Sequence, residues 1–126
     1  MMTMNDAQFE ALVKEIRTSS IETLLAKNAN YAQNGDKLHN FRVGSAMTGE
    51  TPAQIAFGYM AKHLVSLRDK VTSNDFSNLE DLKEKCQDII NYTVFLWCIG
   101  NEVHAQQKQG GMNPNVNPNT APYGEY

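Results

Sequence analysis

Residues 77–106 read SNLEDLKEKCQDIINYTVFLWCIGNEVHAQ, thirty positions without a proline and with no glycine before Gly100. Ser77 and Glu80 have the spacing of a capping box, which predicts a helix over about 78–106, the longest in the chain. At 100° per residue, Leu82, Cys86, Ile89, Ile90, Thr93, Leu96, Trp97 and Gly100 fall in one arc. A second arc runs from Asp81, Glu84, Asp88, Asn91 and Tyr92 into Phe95 and Ile99. A stripe that begins acidic and ends apolar passes from solvent to interior, with Asp88 near the crossing. Val94 and Cys98 cover a third direction, so the second half of this helix is apolar nearly all round. A few helices cannot wrap such a surface, which implies a homo-oligomer.

Working outward, Thr51, Pro52 and Gln54 mark another helix start, with Ala56, Met60, Leu64, Leu67 and Val71 on one face over about 52–72. Asn5 and Gln8 open a first helix over about 6–27, with Phe9, Leu12, Val13, Ile16, Ser20 and Leu24 as its inner face. No window alternates as a strand does. The expected fold is therefore all-α, a bundle of three main helices joined by a long functional loop over 28–50. The chain of 126 residues reads as one domain over 1–107, followed by a disordered Gly/Asn/Pro tail over 108–126.

A formal net charge of −3 leaves no field for a long polyanion, so a bound anion should be small and long nucleic acid is excluded as a partner. Cys86 and Cys98 lie about 18 Å apart along one helix, too far for a disulfide, and read as reduced, buried thiols. No secretory signal opens the chain and no run is long enough for a bilayer, which points to the cytoplasm and away from membranes.

Chemistry concentrates on three elements. Glu84 and Asp88 share a helix face and are oxygen donors of the kind magnesium takes; as alternatives, acids complement a helix N-terminus and a buried carboxylate can be structural. On the helix before it, Lys62 and His63, with Ser66 on the same side, could meet a phosphate or simply face solvent. The 28–50 loop carries Lys27 at its edge, then Asn30, Tyr31, Asp36, His39, Asn40 and Arg42. Phe41 within it is an anchor or a stacking face for a base. No phosphate-cradling Gly-rich loop and no nucleophile pair is present, so no catalytic residue is assigned.

The blocks Lys27–Tyr31, Asp36–Phe41, Gly58–His63 with Ser66–Leu67, and Glu84–Lys85 with Asp88–Tyr92 resemble the small phage and prophage MazG-like proteins of the all-α nucleoside triphosphate pyrophosphohydrolase superfamily. The likeness spans about residues 20–100. It implies an oligomeric helical bundle that binds a nucleoside phosphate with magnesium as cofactor, Glu84 and Asp88 holding the metal with Asp36 near it. Lys62 and His63 would then bind phosphate, and Lys27, Asn30, Tyr31 and Asn40 base or sugar, beside Phe41, Ser66 and Tyr92. Hydrolytic members carry E-x-x-E and E-x-x-D pairs. This chain has Lys62 and His63 where acids stand in the first, and Glu84-x-x-x-Asp88 for the second. Two functions follow from this: hydrolysis of a nucleoside triphosphate to monophosphate and pyrophosphate, or capture of a nucleotide without turnover, such as a cyclic nucleotide signal of host defence sequestered in an infected cell. A structural oligomer whose polar loop is only a connection is the third.

Overall fold

The computed structural model describes residues 3–31 and 35–110, with backbone alone for 28–31 and 110. Four α-helices account for nearly all of it: α1 (Asp6–Tyr31), α2 (His39–Thr48), α3 (Pro52–Ser73) and α4 (Leu79–Gly110). Among the described residues there is no strand ladder, as the absent alternation implied. The tail beyond 110 lies outside the described residues, and α4 runs past the expected start of that tail at 108.

α1, α3 and α4 begin where a side chain satisfies free N–H groups, while α2 starts at Leu38 without a side-chain cap. In α1, Asn5 and Gln8 exchange side-chain to backbone hydrogen bonds of 2.9 Å in both directions. In α3, Thr51 and Gln54 do the same at 2.9 and 3.1 Å, with Pro52 in the first turn. The cap of α4 is one residue later than the spacing suggested. Asn78 Oδ1 accepts from Asp81 N at 3.1 Å, while the Ser77 hydroxyl donates to Asp75 in the preceding turn.

The loop expected over 28–50 is a correction: it contains α2, and α1 extends through its first residues. Ten residues with Phe41, Val43 and Met47 as their large apolar side chains show little periodicity, and short helices gain their stability from tertiary contact. Phe41 and Ser45, one turn apart, are both buried. Gly44 lets the helix approach α3 so closely that a Cβ there would stand 3.0 Å from Ile55 Cγ2. Gly49, at φ 80°, ends the helix in the left-handed region that suits glycine.

α3 and α4 form an antiparallel hairpin. Lys70 pairs with Asp81 at 2.6 Å beside the turn, and the buried Ile55, Ala56 and Ile99 meet at the far end with Leu38 and Phe41. α1 lies along α4 in the same sense through polar contacts, Gln87 Nε2 donating to Ser19 Oγ at 2.6 Å and Lys83 reaching Glu15 at 3.4 Å.

The expected inner face of α1 is corrected, and the apolar arcs of α3 and α4 turn only partly inward. On α1, Phe9, Leu12 and Val13 are exposed, and Ser20 is the buried residue. On α4, Trp97 is 73% exposed and Ile90 is also open, whereas Asn91 and Ile99 from the acidic-to-apolar stripe are buried, as is Gln87 outside it. The helix therefore turns its mixed stripe inward and leaves much of its apolar arc outside. On α3, Ala56 and Met60 are buried but Leu64 and Val71 are not. Both cysteines are free; Cys86 is half-buried, and Cys98 is exposed rather than buried. Among the described residues, no helix is long and apolar enough to cross a membrane.

Candidate functional site

The inward stripe of α4 forms the floor of a cavity of about 360 Å³ to which every helix contributes. Asp88, Asn91, Tyr92 and Phe95 recur every three or four residues and so share one helix face. Tyr59 and His63, four apart, are the contribution of α3. Leu24 and Lys27 come from α1; Lys37 and the first turn of α2, with His39, Asn40 and Phe41, close the remaining side.

At one end sits a charged cluster. Asp88, 19% exposed, lies 3.6 Å from Lys27 Nζ through Oδ1 and 3.4 Å from His63 Nδ1 through Oδ2. A carboxylate so placed draws two basic side chains from different helices to one point. The remaining wall is aromatic. Phe41 meets Phe95 edge-on at 5.0 Å between centroids, and His63 lies tilted by 31° against Tyr92 at 5.2 Å. Tyr59 is 6.3 Å from both Phe41 and Tyr92. Burial, and then the negative charge of Asp88 with the neighbouring Tyr59, push the Tyr92 phenol above its usual range, so near neutral pH its hydroxyl keeps its proton and can donate.

Between the two ends lies Asn91. It is only 6% exposed, and its Oδ1 is fully buried with no hydrogen-bond partner. Buried amide oxygens are normally paired, because leaving one unmade forfeits its hydration.

The structure thus brings Lys27, Asn40, Phe41, His63, Asp88 and Tyr92 together, as the sequence suggested. Lys62 and Ser66 do not line the cavity: Lys62 projects outward, its ammonium 5.7 Å from the Tyr59 ring centroid. Asp36 is engaged elsewhere. With Glu102 it clasps Arg42, at 2.6 Å to Arg42 Nε and 2.5 Å between Arg42 Nη1 and Glu102, which ties the start of α2 to α4. That guanidinium holds the Asp36 carboxyl below its usual range, and the two acids raise Arg42 further. Glu84 is exposed and faces a separate recess with Ser19, Asp81 and Gln87, into which Asp88 also opens. The side chains of Asn30 and Tyr31 lie outside the described residues.

Lys37, Tyr59 and Asn91 were not singled out as site residues from sequence, and His39 stood only among the polar groups of the 28–50 loop. Tyr59 carried a signal in its i, i+4 relation to His63, and Asn91 in standing three residues after Asp88; Lys37 carried none. Among the described residues no group of three or more His, Cys, Asp or Glu side chains is arranged to hold a metal ion. No protein family, curated protein or solved structure matches the chain.

Proposed function

We propose that this chain binds a small phosphorylated compound with a planar ring, a nucleotide, and holds it without turnover. The observation that carries the reading is the convergence of basic side chains and aromatic faces on one cavity: Lys27, Lys37, His39 and His63 beside Tyr59, Tyr92 and the Phe41–Phe95 pair. A phosphate gains charge-assisted hydrogen bonds from the two lysines and further N–H donors from the imidazoles, and a base gains stacking area from such rings. A volume of about 360 Å³ falls within the range of small-molecule sites.

The resemblance of these segments to phage and prophage MazG-like proteins supports the same ligand class. The carboxylates as they stand do not fit a resident magnesium ion, since each oxygen of Asp88 faces a basic nitrogen and, among the described residues, Glu84 and Asp88 gain no third acid, His or Cys in a metal-holding arrangement. The reading therefore takes no step through a metal, and sequestration is favoured over hydrolysis. The exposed Trp97, Ile90, Phe57 and Val65 favour assembly as a homo-oligomer that covers them.

The test is calorimetry with nucleoside mono- and triphosphates and a cyclic dinucleotide, with and without magnesium, followed by chromatography of the denatured mixture. Saturable binding with the nucleotide recovered intact supports capture. Recovery of monophosphate and pyrophosphate replaces capture with hydrolysis, and no binding of any probe rejects the reading.

A further inference from the structure

The side of α4 that faces away from the cavity carries a second stripe. At 100° per residue, Ile90, Thr93, Trp97, Gly100 and His104 follow steps of three and four and lie opposite Asp88, Tyr92 and Phe95. All five are exposed, Trp97 the most among the large apolar residues of α4. α1 widens the stripe. The pairs Glu15–Lys83 and Ser19–Gln87 each join residues 68 apart on helices that run in the same sense, which sets Ile21 level with Ile89 and Leu25 level with Thr93. Ile21 and Leu25 are both more than half exposed, and Leu25 shares a groove with Val94 and Cys98. Together with Ile90 and Trp97 they leave roughly 500 Å² of apolar surface bare, at the upper end of what a monomer shows. Two such patches supply about 1,000 Å², which matches the apolar share of a standard interface of about 1,600 Å².

The stripe is also complementary to itself. Gly100 stands one turn beyond the bulky Trp97. A glycine inside a helix costs stability, and apart from its own helical backbone no atom of the described residues stands within 4 Å of where a Cβ would be, so packing within one chain gives no reason for it. Gly58 is equally open, but no aromatic residue lies one turn from it on α3. When a second α4 runs antiparallel with its Gly100 beneath Trp97, the two-fold axis sets its Trp97 over Gly100 in return and its His104 level with Thr93. One register therefore makes both large-on-small contacts, as an isologous interface requires. A parallel pairing would set tryptophan against tryptophan and glycine against glycine.

We propose that α4 pairs antiparallel with α4 of a second copy of this chain, Trp97 of each seated over Gly100 of the other. This rests on the homo-oligomer of the proposed function and gives it a contact and a register; it makes no use of the ligand.

The first test is Gly100→Leu in the full chain, followed by sedimentation equilibrium and circular dichroism. Leucine is the better helix former and has open space in the monomer, so helix content should be kept, while the dimer dissociation constant should rise about thirtyfold or more as the seat of a buried tryptophan is filled. The second test does not depend on how that variant behaves. With Cys86 and Cys98 replaced by alanine, Thr93→Cys together with His104→Cys should give a disulfide-linked dimer on mild oxidation, and neither alone should. In the antiparallel register two copies of residue 93 stand about 16 Å apart along the axis, too far for a disulfide. Cross-linking by Thr93→Cys alone, no cross-linking by the pair, or an unchanged dissociation constant in Gly100→Leu overturns the register while leaving an oligomer formed through another surface. A wild type that stays monomeric at high micromolar concentration removes the oligomer and this contact together, and leaves nucleotide capture to its own test.

Discussion

Asp88→Asn is the substitution on which capture and metal-dependent hydrolysis differ in sign. In the capture reading, Asp88 is an internal counter-ion. It aligns Lys27 and His63 at 3.6 and 3.4 Å, and it also repels the phosphate those side chains attract. A phosphate seated on the far side of Lys27 would lie roughly 6 Å from the carboxylate, where like unit charges repel by ~1.4 kcal/mol at an effective dielectric of about 40. Losing the counter-ion also frees the two basic side chains, at a cost of ~0.5 kcal/mol typical of partly exposed pairs. The remainder, ~1 kcal/mol, corresponds to about a fivefold gain in affinity for a nucleoside monophosphate. Calorimetry at constant ionic strength, without and with magnesium, measures it, and the gain should shrink as salt is raised. Weaker binding by Asp88→Asn would refute the reasoning. If magnesium-dependent product formation were lost at the same time, Asp88 would be a metal ligand and capture would be wrong.

Arg42→Ala removes two ion pairs whose side chains are each about one-third exposed, so a loss of about 1–2 kcal/mol is expected in urea denaturation followed by circular dichroism. Because Arg42 depresses the Asp36 carboxyl, that stabilisation is complete above the ordinary carboxyl value of 3.8 and is lost as pH falls below it; a wild type and Arg42→Ala that differ equally at pH 7 and pH 2.5 would contradict this. Gly44→Val should destabilise by about 1–3 kcal/mol by forcing α2 off Ile55, whereas Gly58→Ala, with open space around it, should stabilise by up to about 1 kcal/mol; the reverse order of denaturation midpoints would disprove the close approach of α2 and α3. Self-association should shift the emission of Trp97, the single tryptophan, to shorter wavelength as concentration rises, and Trp97→Glu should lower the mass seen by light scattering; a monomeric wild type at micromolar concentration would rule the oligomer out.

Much of the backbone was readable before any coordinates, because caps and helical periodicity are local. The start of α3 needs only Thr51, Pro52 and Gln54, and that of α1 only Asn5 and Gln8, each satisfying N–H groups within its own first turn. The half-buried position of Asp88, at the crossing from solvent to interior, could likewise be read from the stripe it occupies, acidic before it and apolar after it. The orientation of each helix and the existence of α2 were different in kind. An amphipathic pattern shows that a helix has two faces but not which neighbour meets which face, and α4 turned its mixed stripe toward Lys27, His63 and Phe41 while Trp97 stayed outside. α2 owes its stability to Phe41 packed against Tyr59 of α3 and Phe95 of α4, to the buried Ser45, and to Arg42 held between Asp36 and Glu102, contacts between residues up to 60 positions apart. The cavity arises from the same long-range packing. Lys37 and Asn91 gained a place in it only when four helices closed around a common volume, since which polar group is left without a partner is a property of the assembled chain and not of any segment.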